Sequence, residues 1–201
     1  MKVGVVSDVH NNLEALTYAL DQLRGCELIL NLGDLVSQYR VLPETLRIAR
    51  EHDLLGIVGN HEKAILLPPG SVLRDHLAPY DLAYLRDLPD QRTLELDGRR
   101  VRVVHGAPWD DARDISCEYV YEANQRLAAA AEADVLLLGH THIAALSRVD
   151  GVLVLNPGSA GEARDRARRL SYAELDFAAG RATVWEIRNG AAPEQMLAAD
   201  L

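Results

Sequence analysis

Short apolar runs that stop at polar, metal-capable residues constrain this chain more than any other feature. Val3-Gly4-Val5-Val6 runs into Ser7-Asp8-Val9-His10, and Val135-Leu136-Leu137-Leu138 runs into Gly139-His140-Thr141-His142. Such runs, without polar alternation, read as strands buried on both faces. Asp8 and His10 stand two positions apart, as do His140 and His142. Side chains at i and i+2 point the same way along a strand. Each pair can therefore grip one ion, or two ions side by side.

Taken in order, residues 2–7 read as the first strand. Asn11 and Asn12 offer helix N-caps, with Glu14 three after Asn11 as a capping-box partner. Leu13, Leu16, Ala19, Leu20 and Leu23 share one helical face, and Gly25 ends that helix. A second strand, 28–32, closes at Gly33-Asp34. Pro43 starts a helix at its first position that runs to His52. A third strand, 54–58, closes at Gly59-Asn60-His61-Glu62. This βαβαβ opening predicts parallel strands joined by helix crossovers.

The rest is richer in hairpins. Pro68-Pro69-Gly70 reads as a loop and 79–88 as a helix. Residues 93–97 and 100–105 alternate around Asp97-Gly98-Arg99, a hairpin whose second arm ends at His105-Gly106. The alanine-rich stretch 118–132 reads as a helix and 135–138 as a buried strand. Residues 143–149 and 152–155 flank Asp150-Gly151 as another hairpin, and Asn156-Pro157-Gly158-Ser159 is a tight turn. A last hairpin, 171–176 with 181–187, crosses Gly180, and 188–201 reads as a surface tail or short helix. The order fits one α/β domain over residues 1–201, with two sheets face to face and helices outside.

Charge narrows the partners. The net charge is −9, and Arg164, Arg166, Arg168 and Arg169 are interrupted by Asp165 and follow Glu162. That cluster reads as a solvated, mobile loop, and tight binding of long nucleic acid is not expected. Two cysteines, Cys26 and Cys117, make no disulfide framework, and Cys26 reads as a small buried residue. The start enters a strand without a leader-like segment, and no span suits a membrane. A cytoplasmic protein is expected, with a homo-oligomer left open.

The strand ends collect Asp8, His10, Asp34, Asn60, His61, His105, His140 and His142. Five of the seven histidines fall in this set; His52 and His76 lie outside it. A lone histidine is more often a satisfied surface or core residue than a ligand, but joint placement at strand tips is a ligand-binding pattern. Imidazoles mixed with carboxylates and no thiolate suit Mn²⁺, Fe²⁺, Zn²⁺, Ni²⁺ or Co²⁺. Mg²⁺ or Ca²⁺ alone would call for more oxygen. Eight candidates are too many for one ion that keeps an open position. Two ions at about 3.5–4 Å suit them, clamping the attacking and leaving oxygens and activating a water near neutral pH. Hydrolysis of a phosphate ester is the reaction class that follows.

Asp8-x-His10, Gly33-Asp34, Gly59-Asn60-His61-Glu62, His105-Gly106 and Gly139-His140-Thr141-His142 together resemble, in order, the motifs of the calcineurin-like metallophosphoesterases. Asn156-Pro157-Gly158-Ser159 and Ser171-Tyr172-Ala173 resemble the small bacterial and archaeal phosphodiesterase branch. The resemblance implies a four-layer αββα sandwich with two mixed sheets. It also implies that Asp8, His10 and His142 hold one metal, that Asn60, His105 and His140 hold the other, and that Asp34 bridges them. His61 would contact the scissile phosphate, as Asn60 also would, and protonate the leaving oxygen. A leaving alkoxide independently needs such a donor. Manganese is the expected metal.

Departures qualify this. Asn11 stands where the small phosphodiesterases often have Gly, and Glu62 where they often have Asp. After Gly33-Asp34 the protein phosphatases place Asp-Arg-Gly, whereas this chain reads Leu35-Val36-Ser37-Gln38-Tyr39-Arg40. Loss of that arginine argues for a small diester substrate. A phosphomonoesterase or nucleotide pyrophosphatase is the second enzymatic reading. A non-catalytic scaffold like the retromer subunit of this fold is the third, and the full ligand set argues against it. Trp109 and Tyr39 are candidates to flank substrate, with buried packing the plainer expectation for each.

Overall fold

The structure is a computed structural model, described over residues 1–67, 72–110, 117–188 and 190–201. In chain order its elements are β1 (Lys2–Val6), α1 (Leu13–Gln22), β2 (Leu28–Asn31), α2 (Pro43–Glu51), β3 (Leu55–Gly56), α3 (Asn60–Leu66), α4 (Val72–His76), α5 (Pro79–Asp87), β4 (Gln91–Leu96), β5 (Arg99–Val104), α6 (Gln125–Ala131), β6 (Val135–Leu137), β7 (Ala144–Val149), β8 (Val152–Pro157), β9 (Ser171–Asp176), β10 (Arg181–Glu186) and β11 (Glu194–Asp200). They build two mixed sheets, ordered β11-β10-β9-β1-β2-β3 and β4-β5-β6-β8-β7. β1, β2 and β3 are parallel in the first, and β5, β6 and β8 in the second.

Alternation along the strands assigns the layers. Val3 and Val5 of β1, Val101 and Val103 of β5, Val135 and Leu137 of β6, and Leu153 and Leu155 of β8 form one buried cluster between the sheets. On the outer face of the first sheet, Leu16, Leu20 and Leu23 join Leu46 and Ala49 of α2 and Leu85 of α5. On the outer face of the second, Leu136 and Val154 meet Leu127 and Ala131 of α6. The layers therefore run helix, sheet, sheet, helix, as expected. Among the described residues no helix is long and apolar enough to cross a membrane.

Several expectations shift. Asn12, not Asn11, caps α1, accepting from Ala15 N at 3.1 Å, and the helix ends at Gln22 rather than Gly25. The third strand shrinks from 54–58 to Leu55–Gly56, because it is an edge whose flanks bond elsewhere: Leu54 N to the Ala49 carbonyl and Val58 N to that of Pro89. The helix expected over 118–132 forms only over Gln125–Ala131, where Asn124 caps it by accepting from Leu127 N at 2.9 Å. Alanine propensity carries the helix only as far as that cap. The tight turn over 156–159 starts later, since β8 runs through Pro157. Cys26 is only partly buried, and the two cysteines are not joined in a disulfide.

The tail is the largest correction. Residues 194–200 form an edge strand against β10, not a tail or helix, and Leu201 beyond it joins the core between the sheets. Pairing overrides the helix propensity of Met196-Leu197-Ala198-Ala199. The loop expected at Pro68-Pro69-Gly70 lies outside the described residues.

Candidate metal centre

Every predicted ligand leaves the C-terminal end of a parallel strand, where the two sheets open onto one edge. Asp8 and His10 follow β1 and Asp34 follows β2. Asn60 and His61 begin α3 just after β3. His105 follows β5, and His140 and His142 follow β6. Asp8, His10, Asp34, His140 and His142 all adopt positive φ, between 46° and 66°. The left-handed turns at each strand end, rather than extended geometry, set where these side chains point. Asp8 and His10 accordingly share one group, whereas His140 and His142 divide between two.

The first group is Asp8, His10, Asp34 and His142; the second is Asp34, His105 and His140. All are buried, and the ligand atoms within each group lie within 4.8 Å of one another. His105 Nδ1 lies 2.7 Å from the Leu32 carbonyl oxygen, to which it donates. Its Nε2 then faces Asp34 Oδ2 at 3.2 Å and Asn60 Oδ1 at 3.0 Å. His142 Nδ1 likewise donates to the Glu162 carbonyl at 2.5 Å, turning Nε2 toward Asp8 Oδ1 at 3.3 Å and His10 Nε2 at 3.2 Å. Such backbone bonds fix the tautomer of a metal-ligating histidine. His140 Nε2 is buried without a hydrogen-bond partner, His10 Nε2 faces the His142 Nε2 lone pair at 3.2 Å, and the nearest ring nitrogen to the buried Asp34 Oδ2 is that of His105 at 3.2 Å. Buried lone pairs that converge without donors need a cation, and these residues fit a pair of divalent ions around Asp34.

His61 stands apart from both groups. Its Nδ1 accepts from Gln38 N at 3.0 Å, which leaves the proton on Nε2 in the neutral ring. That Nε2 lies 3.9 Å from Asp34 Oδ2, and the side chain is 14 % exposed against 1 % for Asp34. Its ring meets that of His10 edge-on at 4.6 Å.

Burial and mutual charge set the protonation states. Burial opposes ionisation of Asp34, yet His105, His61 and His10 together hold its carboxyl below the usual range. Burial also opposes charge on His105, but Asp34 and Asp8 raise it to about 10. Asp8 is pushed up to about 7, chiefly by burial. Burial lowers His10 and His140 to about 3 and His142 to about 4, so these rings offer neutral lone pairs.

Residues outside the strand-end pattern hold the ligands in place. Glu62, fully buried, accepts from Gly59 N (2.8 Å), Asp34 N (2.9 Å) and Val36 N (3.0 Å), tying the loop after β2 to the start of α3. Burial raises it to about 7. Asn156 Nδ2 donates to the Gly139 carbonyl at 2.8 Å and to Thr141 Oγ1 at 3.0 Å, pinning the turn that carries His140 and His142. Ser159 Oγ donates to the Asp8 carbonyl at 2.7 Å, and Ser7 Oγ to Asp8 Oδ2 at 2.5 Å. A Cβ at Gly59 would overlap the Asp34 carboxylate, and one at Gly139 would overlap Ser7 Oγ. Those two glycines permit the close approach, a role visible in sequence only as a glycine before each ligand.

The rim corrects two further expectations. Tyr39 is 80 % exposed, its ring 6.1 Å from that of His61, instead of packed inside. Trp109 does pack, against the α6 cluster, with Arg126 over its ring at 3.6 Å. Tyr119 lies over His140 with ring centroids 4.0 Å apart. The arginine-rich loop is anchored rather than merely solvated: Arg164 N donates to the His142 carbonyl (3.2 Å), and Arg169 pairs with Asp165 (2.9 Å). His52 and His76 lie on the exposed surface, away from the centre.

Comparison with known proteins gives the family. Residues 1–180 match the model of the calcineurin-like phosphoesterase superfamily domain. A probable metallophosphoesterase of Methanothermobacter thermautotrophicus is 28 % identical over 162 residues, covering 79 % of this chain and 77 % of the relative. A phosphodiesterase of Methanocaldococcus jannaschii is 24 % identical over 160 residues, covering 79 % of this chain and 83 % of its own. The crystal structure of a metallophosphoesterase from Sphaerobacter thermophilus superposes with a TM-score of 0.76 at 26 % identity, over 94 % of this chain and 88 % of that one. The chain belongs to the calcineurin-like phosphoesterase superfamily and is a metal-dependent phosphoric ester hydrolase.

Proposed function

We propose that the protein is a phosphodiesterase acting on a small diester with two divalent ions that share Asp34. The single observation that carries this is the pair of buried ligand groups that meet at the buried carboxylate of Asp34. In this reading Asp8, His10 and His142 hold one ion, and Asn60, His105 and His140 hold the other. Such a pair supplies an activated hydroxide and offsets charge on the phosphate oxygens. Asn60, at the edge of the second group, also orients a phosphate oxygen.

His61 then holds its Nε2 proton toward the leaving oxygen and gives it up as that bond breaks, a role suited to a partly open imidazole of fixed tautomer. Manganese fits the mixed imidazole and carboxylate set, although iron, zinc, nickel and cobalt share the ligand preference.

The diester preference draws on the segment Leu35-Val36-Ser37-Gln38-Tyr39-Arg40, which carries no arginine in the position that grips a monoester. The name of the archaeal phosphodiesterase relative points the same way. Arg164, exposed and bonded through its backbone to His142, favours the second reading of a phosphomonoesterase. Steady-state rates with Mn²⁺ decide between them. Hydrolysis of bis(p-nitrophenyl) phosphate that chelation abolishes, at a higher kcat/KM than for p-nitrophenyl phosphate, is expected. The reverse order would overturn the diester preference.

A further inference from the structure

We propose that Tyr39 is a stacking platform for the leaving group, so that the protein selects diesters whose departing alcohol carries a flat aromatic ring. This rests on the phosphodiesterase reading and assigns its substrate class. A nucleoside and an aryl ester share that chemistry.

Placement is the first argument. Tyr39 stands beside His61, with ring centroids 6.1 Å apart and planes nearly perpendicular at 79°, so the two rings are not stacked on each other. If His61 protonates the leaving oxygen, the group attached to that oxygen departs past Tyr39. The ring is 80 % exposed and leaves its π-face open.

Rigidity is the second. An exposed tyrosine on a loose loop would lose its ordering entropy when it bound a ring, but this one sits on a pinned turn. Ser37 and Arg40 form an isolated antiparallel bridge, with Arg40 N donating to the Ser37 carbonyl at 3.1 Å. Tyr39 N donates to Ser37 Oγ at 3.3 Å, and Gln38 N to His61 Nδ1 at 3.0 Å. Asn11 clamps the far side: its Nδ2 donates to the Arg40 carbonyl at 2.7 Å, and its Oδ1 accepts from Leu42 N at 3.0 Å. Asn11 itself is left-handed, at φ 65°, where glycine would serve the backbone but could not hold the turn. One bond thus fixes the Tyr39 turn to the proton donor, and two more fix it to the strand end that carries His10.

The test compares each variant with wild type on the same substrate, so that differences in leaving-group reactivity cancel. The substrates are bis(p-nitrophenyl) phosphate, a dinucleoside monophosphate and bis(trifluoroethyl) phosphate, assayed with Mn²⁺-loaded protein. Tyr39→Ala should lower kcat/KM about tenfold, mainly through KM, on at least one of the two aromatic diesters. It should leave the trifluoroethyl ester within about twofold and the bound metal unchanged. Tyr39→Phe should keep the wild-type ratio. Which aromatic diester responds tells a nucleobase from an aryl ring. An equal loss on all three substrates, or no loss on either aromatic one, would overturn the proposal while leaving the diesterase reading intact. Absence of chelator-sensitive turnover of any diester by wild type would overturn both.

Discussion

In the proposed centre the histidines divide into metal ligands and a proton donor, and the hydrogen bond at Nδ1 separates the rings assigned to each role. In the neutral rings of His105 and His142 that nitrogen donates to a backbone carbonyl, which makes Nε2 the lone pair a metal would take; in the neutral ring of His61 it accepts from Gln38 N, which leaves the proton on Nε2. His61→Ala should therefore lower kcat by about 10²–10⁴-fold while metal content, read by elemental analysis, stays at the wild-type level. A loss of metal would reassign His61 as a ligand. Protonation of the other groups makes ion uptake depend on pH. His105, at about 10, and Asp8, at about 7, are both raised and so retain protons in the metal-free site near neutral pH. A divalent ion must displace those protons, so affinity should tighten as pH rises through about 7 toward 9. Calorimetry in buffers of different ionisation enthalpy should register proton release, and none would mean that the site is already deprotonated.

At the scale of elements, what the sequence disclosed depended on how local the signal was. The strand ends were legible because buried runs and the polar residues that stop them are contiguous: Val135-Leu136-Leu137-Leu138 and His140 are neighbours in sequence. The left-handed geometry at Asp8, His10, Asp34, His140 and His142 was not, since Asp and His, though enriched at positive φ, adopt it in only a small minority of cases. Nor were Glu62 and Asn156 as positioning groups, whose bonds join loops that meet only after folding. β11 stayed hidden because its composition favours helix, whereas the open edge of β10 and the packing of Leu201 decide otherwise. Deleting residues 190–201 should accordingly bare the β10 edge and part of the core between the sheets. The expected cost is at least about 2 kcal/mol, or about 4–8 °C in Tm, with concentration-dependent aggregation. An unchanged Tm would show that the strand is dispensable to the core.

Across the whole molecule, the candidate ligand groups come together because two sheets face each other with the C-terminal ends of their parallel strands at one edge. Asp8, His10 and Asp34 come from one sheet, and His105, His140 and His142 from the other. Neither sheet alone holds a complete ligand group, since His142 joins the first and Asp34 the second. The core of valines and leucines between the sheets fixes that juxtaposition, so packing and chemistry share one cause. Asp34, buried at the seam and common to both groups, is where the account is most exposed to test. Anomalous diffraction at the manganese edge, from crystals equilibrated with Mn²⁺, measures it directly. Two peaks about 3.5–4 Å apart with the Asp34 carboxylate between them are predicted. A single peak, or two that Asp34 does not touch, would contradict the shared-ligand centre.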